Sequence, residues 1–265
     1  MKIIGFAQLR NEIKKGNLEN WFKCMQPVCD YIYIYNQNST DGSKDYYKKF
    51  DNVHVIESEV NDFSAEIRCK KKLLEKLLQD HPDVDWIFWM DGDTILEKKA
   101  LDRSRWEKIL SGADKEGFEI VKLGHYNLWR SDTHYRVDSA YHGLHGWGVP
   151  AMWKNTGSLY FEDQEGLHHN QYPKPLKDDS KSAARAPYDL IHRGFATDQQ
   201  IVDKYIRYRE RGQTGWDLHR LIDESTLKTT NKVGDEETIE DLLPEWLEIN
   251  NAADPSDKQK IRELV

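Results

Sequence analysis

The spacing of apolar runs over roughly the first hundred residues restricts this chain most. Residues 2–9, Tyr31–Tyr35, Val53–Ile56 and Trp86–Met90 are short and rich in β-branched or aromatic residues, and they read as strands. Between them, Leu18, Trp21, Phe22, Met25, Val28 and Cys29 recur at spacings of three and four, as an amphipathic helix requires. Residues 43–50 and 64–79 read as two further helices. Strand–helix alternation of this kind predicts an α/β fold with a mostly parallel sheet and right-handed crossovers.

Polar clusters follow the first, second and fourth strands. They are Gln8–Glu12, Asn36–Ser43 and Asp91-Gly92-Asp93. In an open parallel sheet the carboxyl ends of the strands lie along one edge, where ligands bind. Asp91 and Asp93 alternate in an extended chain, so both can face one crevice, with Gly92 keeping the backbone clear. Two hard oxygen ligands there suit Mg²⁺ or Mn²⁺ held together with substrate phosphates. A solvated Asp-Gly turn between strands would carry the same letters.

Beyond Asp93 the pattern continues with a helix over 104–116 and a strand at Glu119–Leu123. Residues 126–147 are rich in aromatic residues and histidine, and 151–171 mix short strands with loops. The stretch 173–187, with Pro173, Pro175 and Pro187, reads as an exposed, mobile loop. Tyr188–Gly194 is a short strand leading to a helix capped at Thr197 or Asp198. The expected organisation is one domain over 1–210, with halves 1–98 and 99–210. Residues 211–265 then form a helical extension or linker, with one helix near 236–249 and further domains possible after 265.

A net charge of −8 argues against nucleic acid as partner. No apolar run approaches the ~20 residues of a membrane span. Cys24, Cys29 and Cys69 lack metal-ligand spacing and fit reduced thiols, which points to a cytoplasmic protein, soluble or peripheral to a membrane surface. There is no GxGxxG after the first strand and no GxxxxGK[ST], so dinucleotide-binding and P-loop folds are disfavoured.

Taken in order, Leu9-Arg10-Asn11-Glu12, Asn38–Ser43, Asp91-Gly92-Asp93, Leu167–Pro173 and His192-Arg193-Gly194 with its following helix resemble a family 2-type glycosyltransferase with the GT-A fold. The resemblance covers roughly residues 2–210, and its motifs persuade by order and spacing. It implies a three-layer α/β sandwich of the nucleotide-diphospho-sugar transferase type. It also implies transfer of a sugar from a nucleotide-sugar donor, a UDP-sugar by preference, to a glycan or glycoconjugate acceptor. By that likeness Asp93 coordinates the metal, Asp91 holds the ribose or reaches the ion through water, and His192 completes the shell, favouring Mn²⁺ over Mg²⁺. Gln8, Arg10, Asn38, Asp41 and Gly92 line the nucleotide, and Arg68 reaches the diphosphate. Trp129, Arg136, Asp138 and Trp147 meet the acceptor. An inverting mechanism needs a carboxylate base; the likeness points to Asp198 at a helix start, with Asp163 as the alternative.

Each assignment has a plainer structural counterpart. Asn38–Ser43 suits an ordinary capped turn, Arg68 and Lys72 a solvated helix face, His192 a histidine satisfied by a carbonyl, and Asp198 an N-cap. Two other functions fit less well. An aspartyl-nucleophile phosphohydrolase would carry its acids after the first strand. A non-catalytic carbohydrate-binding protein would not need the acid pair.

Overall fold

The computed structural model describes residues 1–60, 66–129, 148–163 and 171–209. The elements run β1 (Ile3–Leu9), α1 (Leu18–Met25), β2 (Tyr31–Asn36), α2 (Ser43–Tyr47), β3 (Val53–Glu57), α3 (Glu66–Asp80), β4 (Trp86–Trp89) and β5 (Thr94–Leu96). A short 3₁₀ turn at Lys98–Leu101 leads into α4 (Arg103–Glu116), β6 (Ile120–Asn127), β7 (Val149–Lys154), β8 (Ala183–His192) and α5 (Asp198–Arg209).

The strands form one sheet in the order β3-β2-β1-β4-β7-β6-β8-β5. β3, β2, β1 and β4 are all parallel, as the alternation predicts, and β7 then runs antiparallel to both β4 and β6. β8 is parallel to β6, so the carboxyl ends of β1, β2, β4, β6 and β8 share one edge. Helices α1, α2 and α4 pack their apolar stripes on one face of the sheet, through Trp21, Phe22, Tyr47, Trp106 and Leu110. Helix α3 covers the other with Ile67, Leu73, Leu74 and Leu77. The result is the expected three-layer α/β arrangement.

Three features depart from the sequence reading. First, Thr94–Leu96 is not a continuation of β4 but an edge strand paired antiparallel with β8. Four strand spacings of about 4.8 Å separate β4 from β5 in a flat sheet, about the limit of what the chain from Trp89 to Thr94 spans fully extended. The sheet therefore curls on itself, and the curl brings the acid loop against β8. Second, β6 continues past Leu123 to Asn127, through His125 and Tyr126. Third, residues 183–187, expected in a mobile loop, belong to the ten-residue strand β8. Pro187 is tolerated because the β6–β8 register slips between Lys122 and Gly124, leaving its position out of the ladder.

Cys24, Cys29 and Cys69 are buried thiols. No described helix is long and apolar enough to cross a membrane. The segment 211–265, including the helix expected near 236–249, lies outside the described residues.

Candidate active site

Asp91-Gly92-Asp93-Thr94 forms a tight turn, closed by Thr94 N–H donating to the Asp91 carbonyl at 3.1 Å. This corrects the extended arrangement expected for the two acids. Asp91 is exposed, whereas Asp93 is half-buried and turned toward β8. The turn is anchored below, where the Trp21 indole N–H donates to the Met90 carbonyl at 3.2 Å. Gly92 is required, but for packing: a Cβ there would lie 2.8 Å from both Glu12 Cδ and Leu9 Cδ2.

Backbone pairing brings three segments together. Thr94 and Asn127 both stand opposite His192 in register, and Arg193 N–H donates to the Asp93 carbonyl at 2.7 Å. Asp93 Oδ2 consequently lies 3.3 Å from His192 Nε2. Lys204, from α5, places its Nζ 3.4 Å from His192 Nε2 and 3.9 Å from Asp93 Oδ2. A Cβ on Gly194 would sit 2.5 Å from Asp93 Oδ2, 2.5 Å from His192 Nε2 and 2.7 Å from Lys204 Nζ, so only glycine leaves this cluster intact.

His192 is oriented from behind. Its Nδ1 lies 2.8 Å from Asn127 Oδ1, and the amide nitrogen of Asn127 lies 3.3 Å from His125 Nδ1. An amide oxygen accepts only, so Nδ1 carries the imidazole proton and Nε2 turns its lone pair toward Asp93. His125 and Phe195 pack on the ring, the first stacked and the second edge-on.

Burial opposes the charge on Asp93, yet His192, Lys204 and Lys15 outweigh it and hold the carboxyl well below the usual carboxylate range. Burial also pushes His192 down, helped by Lys204 and resisted by Asp93. A neutral His192 cannot supply the positive charge that holds Asp93 ionised. Lys204 and Lys15 also act on Asp93 to hold it ionised, so an ionised Asp93 beside a neutral imidazole satisfies most partners. Asp91 is pushed up to about 7 by the protein packed around it and then by the charge on Asp93. Its open access to water offsets part of the packing effect, and the Asp93 charge sustains the upward direction. The two acids are thus driven apart, as in sites where paired carboxyls divide their work.

The donor set suits a divalent ion. A carboxylate oxygen and an imidazole lone pair face each other at 3.3 Å, a repulsive contact unless a cation stands beside them. Among the described residues, however, no three histidine, cysteine or acidic side chains are gathered closely enough to form a complete shell. Asp91 does not join Asp93 and His192, and water or substrate oxygens would have to supply the remaining ligands.

Several expected site residues carry structural duties. Gln8 donates to the Glu66 carbonyl at 2.9 Å, tying β1 to the start of α3. Asp41 accepts from Lys14 N–H at 2.7 Å and from Ser43 N–H and Oγ, joining the loops after β1 and β2 and capping α2. Asn38 adopts φ 51°, a left-handed turn conformation. Arg10 and Arg68 are exposed. Trp129 is fully buried and packs on Phe195, so it is a core wall, not the open sugar platform expected of it. Asp163 is on the surface, 3.2 Å from Lys71 Nζ. Arg136, Asp138 and Trp147 lie outside the described residues. Thr197, not Asp198, caps α5: its Oγ1 accepts from Gln200 N–H at 3.2 Å while Gln200 Oε1 accepts from Thr197 N–H at 3.1 Å. Asp198 is the first helical residue.

The sequence reading missed Asn127, His125, Lys204 and Lys70 as site groups. Lys70 is 1% exposed, 2.5 Å from Glu66 Oε1 and 4.3 Å above the Trp89 ring, and its charge partly offsets the upward push on Asp91. A lysine on the apolar stripe of α3, beside Ile67, Leu73 and Leu74, was the available signal.

No protein-family model matches the chain, and no curated protein matches it in sequence. Among solved structures, glucosyl-3-phosphoglycerate synthase from Mycobacterium tuberculosis in complex with phosphoglyceric acid is 15% identical over 58% of this chain and 56% of that chain, with a TM-score of 0.36. The same enzyme in complex with Mn²⁺, UDP-glucose and phosphoglyceric acid is 19% identical over 48% and 44%, with a TM-score of 0.32. The apo structure of the bifunctional glycosyltransferase WbbM is 15% identical over 46% and 23%, with a TM-score of 0.29. The matched part spans about half or less of each of those chains.

Proposed function

We propose that this chain is a metal-dependent glycosyltransferase that moves a sugar from a nucleotide-sugar donor, a UDP-sugar by preference, to an acceptor hydroxyl. The observation that carries the reading is the convergence of Asp93, His192 and Lys204 at the carboxyl edge of a largely parallel sheet, with Gly92 and Gly194 keeping the backbone close. Asp93 and His192 Nε2 would hold Mn²⁺ or Mg²⁺, and Asn127 would fix the imidazole tautomer. When bound, the ion supplies charge neutralisation for a departing diphosphate. Lys15 and Lys204 add fixed positive charge on that side, and Asp91, exposed beside them, is free to meet the ribose or an ion-bound water.

Displacement with inversion needs a base on the acceptor side. Asp198 suits this better than Asp163, because it stands in the first turn of α5, the helix that also brings Lys204 to Asp93 and His192. Asp163 is paired with Lys71 on the surface.

The test is a thermal-shift panel of UDP-, GDP- and dTDP-sugars, with and without Mn²⁺. A Mn²⁺-dependent stabilisation by one nucleotide class is expected, and Asp93→Asn should abolish it. No stabilisation with any of the sugars overturns the reading.

A further inference from the structure

We infer that Lys204 is a resident cation: its ammonium occupies the Asp93–His192 seam when no metal is bound and is expelled when a divalent ion enters. The inference rests on the metal-dependent reading of the same site and assigns a role to a residue that reading leaves open.

Three observations carry it. The first is the facing of two electron-rich atoms. His192 Nδ1–H donates to Asn127 Oδ1 at 2.8 Å, so the neutral imidazole turns the Nε2 lone pair toward a carboxylate oxygen 3.3 Å away. Such a pair needs positive charge beside it. The second is what supplies it. Lys204 Nζ lies 3.4 Å from Nε2 and 3.9 Å from Oδ2, and its side chain is only 11% exposed. A donated N–H to Nε2 and a charge beside Oδ2 are what an incoming ion would also provide. The third is room. The missing Cβ of Gly194 lies within 2.7 Å of all three polar atoms, so the seam is walled closely enough that an ion and an ammonium would compete for it.

The lysine is held in place but can leave. Its ammonium also rests 4.0 Å from the Phe195 ring centroid, a cation–π contact that the exchange would give up. No bond is made or broken in the exchange, and the lysine keeps its proton. The exchange has a structural consequence, because α5 also carries Asp198 in its first turn. Loading the ion on the donor side would thereby change the tether of the helix that starts with the candidate base.

Mn²⁺ affinity, read by electron paramagnetic resonance of the free ion, tests this in the wild type and in Lys204→Met. Removing a like charge a few ångströms from the ion should tighten binding about tenfold. Metal-free Lys204→Met should also melt below the wild type, and saturating Mn²⁺ should raise its Tm by more. Equal or weaker Mn²⁺ binding in Lys204→Met overturns the inference while leaving the metal site standing. Failure of both proteins to bind Mn²⁺ overturns the metal reading and this inference with it. A measurement on the unaltered protein needs no folded variant: amine-selective labelling followed by peptide mass spectrometry. Labelling of Lys204 should rise when Mn²⁺ is added, and an unchanged or reduced rate overturns the exchange.

Discussion

Replacing Gly194 by alanine separates the integrity of the site from that of the fold. Gly194 does not have a positive φ, so its backbone accepts an L side chain. The new Cβ would meet Asp93 Oδ2 and His192 Nε2 at 2.5 Å and Lys204 Nζ at 2.7 Å, each about 0.7–0.9 Å short of the 3.4 Å at which ordinary contact begins. All three atoms are side-chain ends, so they retreat by rotation and the backbone ladder between Thr94 and His192 survives. Stability should change by only about 1 kcal/mol, because the entropic gain of removing a glycine offsets part of the lost polar contact. In a domain of this size that is a Tm change of roughly 2–4 °C. Misplacing reacting groups by nearly an ångström costs far more, on the order of 100-fold in turnover. Mn²⁺ affinity by calorimetry should weaken at least about tenfold, since both protein ligands move. Gly112→Ala, on the exposed side of α4 with nothing within 4 Å, is the control and should be neutral or slightly stabilising. Near-wild-type affinity and turnover in Gly194→Ala would refute the reasoning, as would a collapse of Tm by more than about 10 °C.

Asp198→Asn should lower transfer by about 100-fold or more at unchanged Tm, whereas Thr197→Ala should cost about 1 kcal/mol in urea denaturation; a normal rate in the first rules out Asp198 as base. Lys70→Met leaves the partly exposed Glu66 without its cation and should destabilise by about 2–3 kcal/mol, with Glu66→Gln recovering much of it in the double variant; additive losses would mean that the pair is not coupled. Acid should weaken the metal-free protein through His125, whose pKa burial pushes down to about 3. Between pH 6.5 and 3 the unfolded chain binds this proton and the folded chain does not, so stability falls as pH falls, by up to about 2.7 kcal/mol at pH 4.5. Tm measured against pH should flatten over that window in His125→Gln, and an unchanged slope would assign the acid sensitivity elsewhere.

Helices and strands of the first half were legible because their signals are local. The period of apolar residues in Leu18–Met25 or Glu66–Asp80 states which face is buried whatever lies opposite. Asp91 and Asp93 were legible as an acid pair at a strand end. Their geometry was not, because a tight turn and an extended run share the same letters until the partner of Thr94 is known. Lys70 escaped attention because three of its neighbours on α3 are ordinary basic residues, and only packing against Trp89 and Glu66 distinguishes it.

By itself, then, the sequence determined the α/β class, the order of the parallel strands' polar ends and the acid loop at their edge. Periodicity and turn chemistry act over a few residues and need no partner. The resemblance had implied that Asp93 and His192 share a site; only the tertiary structure decided how they face each other, that Asn127 sets the imidazole, and that Lys204 stands beside them. Those contacts join β5, β6, β8 and α5, and they follow from the strand order and the curl that a short link between β4 and β5 imposes on the sheet. Distant segments meet at such a site because non-local hydrogen-bonded pairing puts them there, and no local pattern in the chain records which strand a given strand will join.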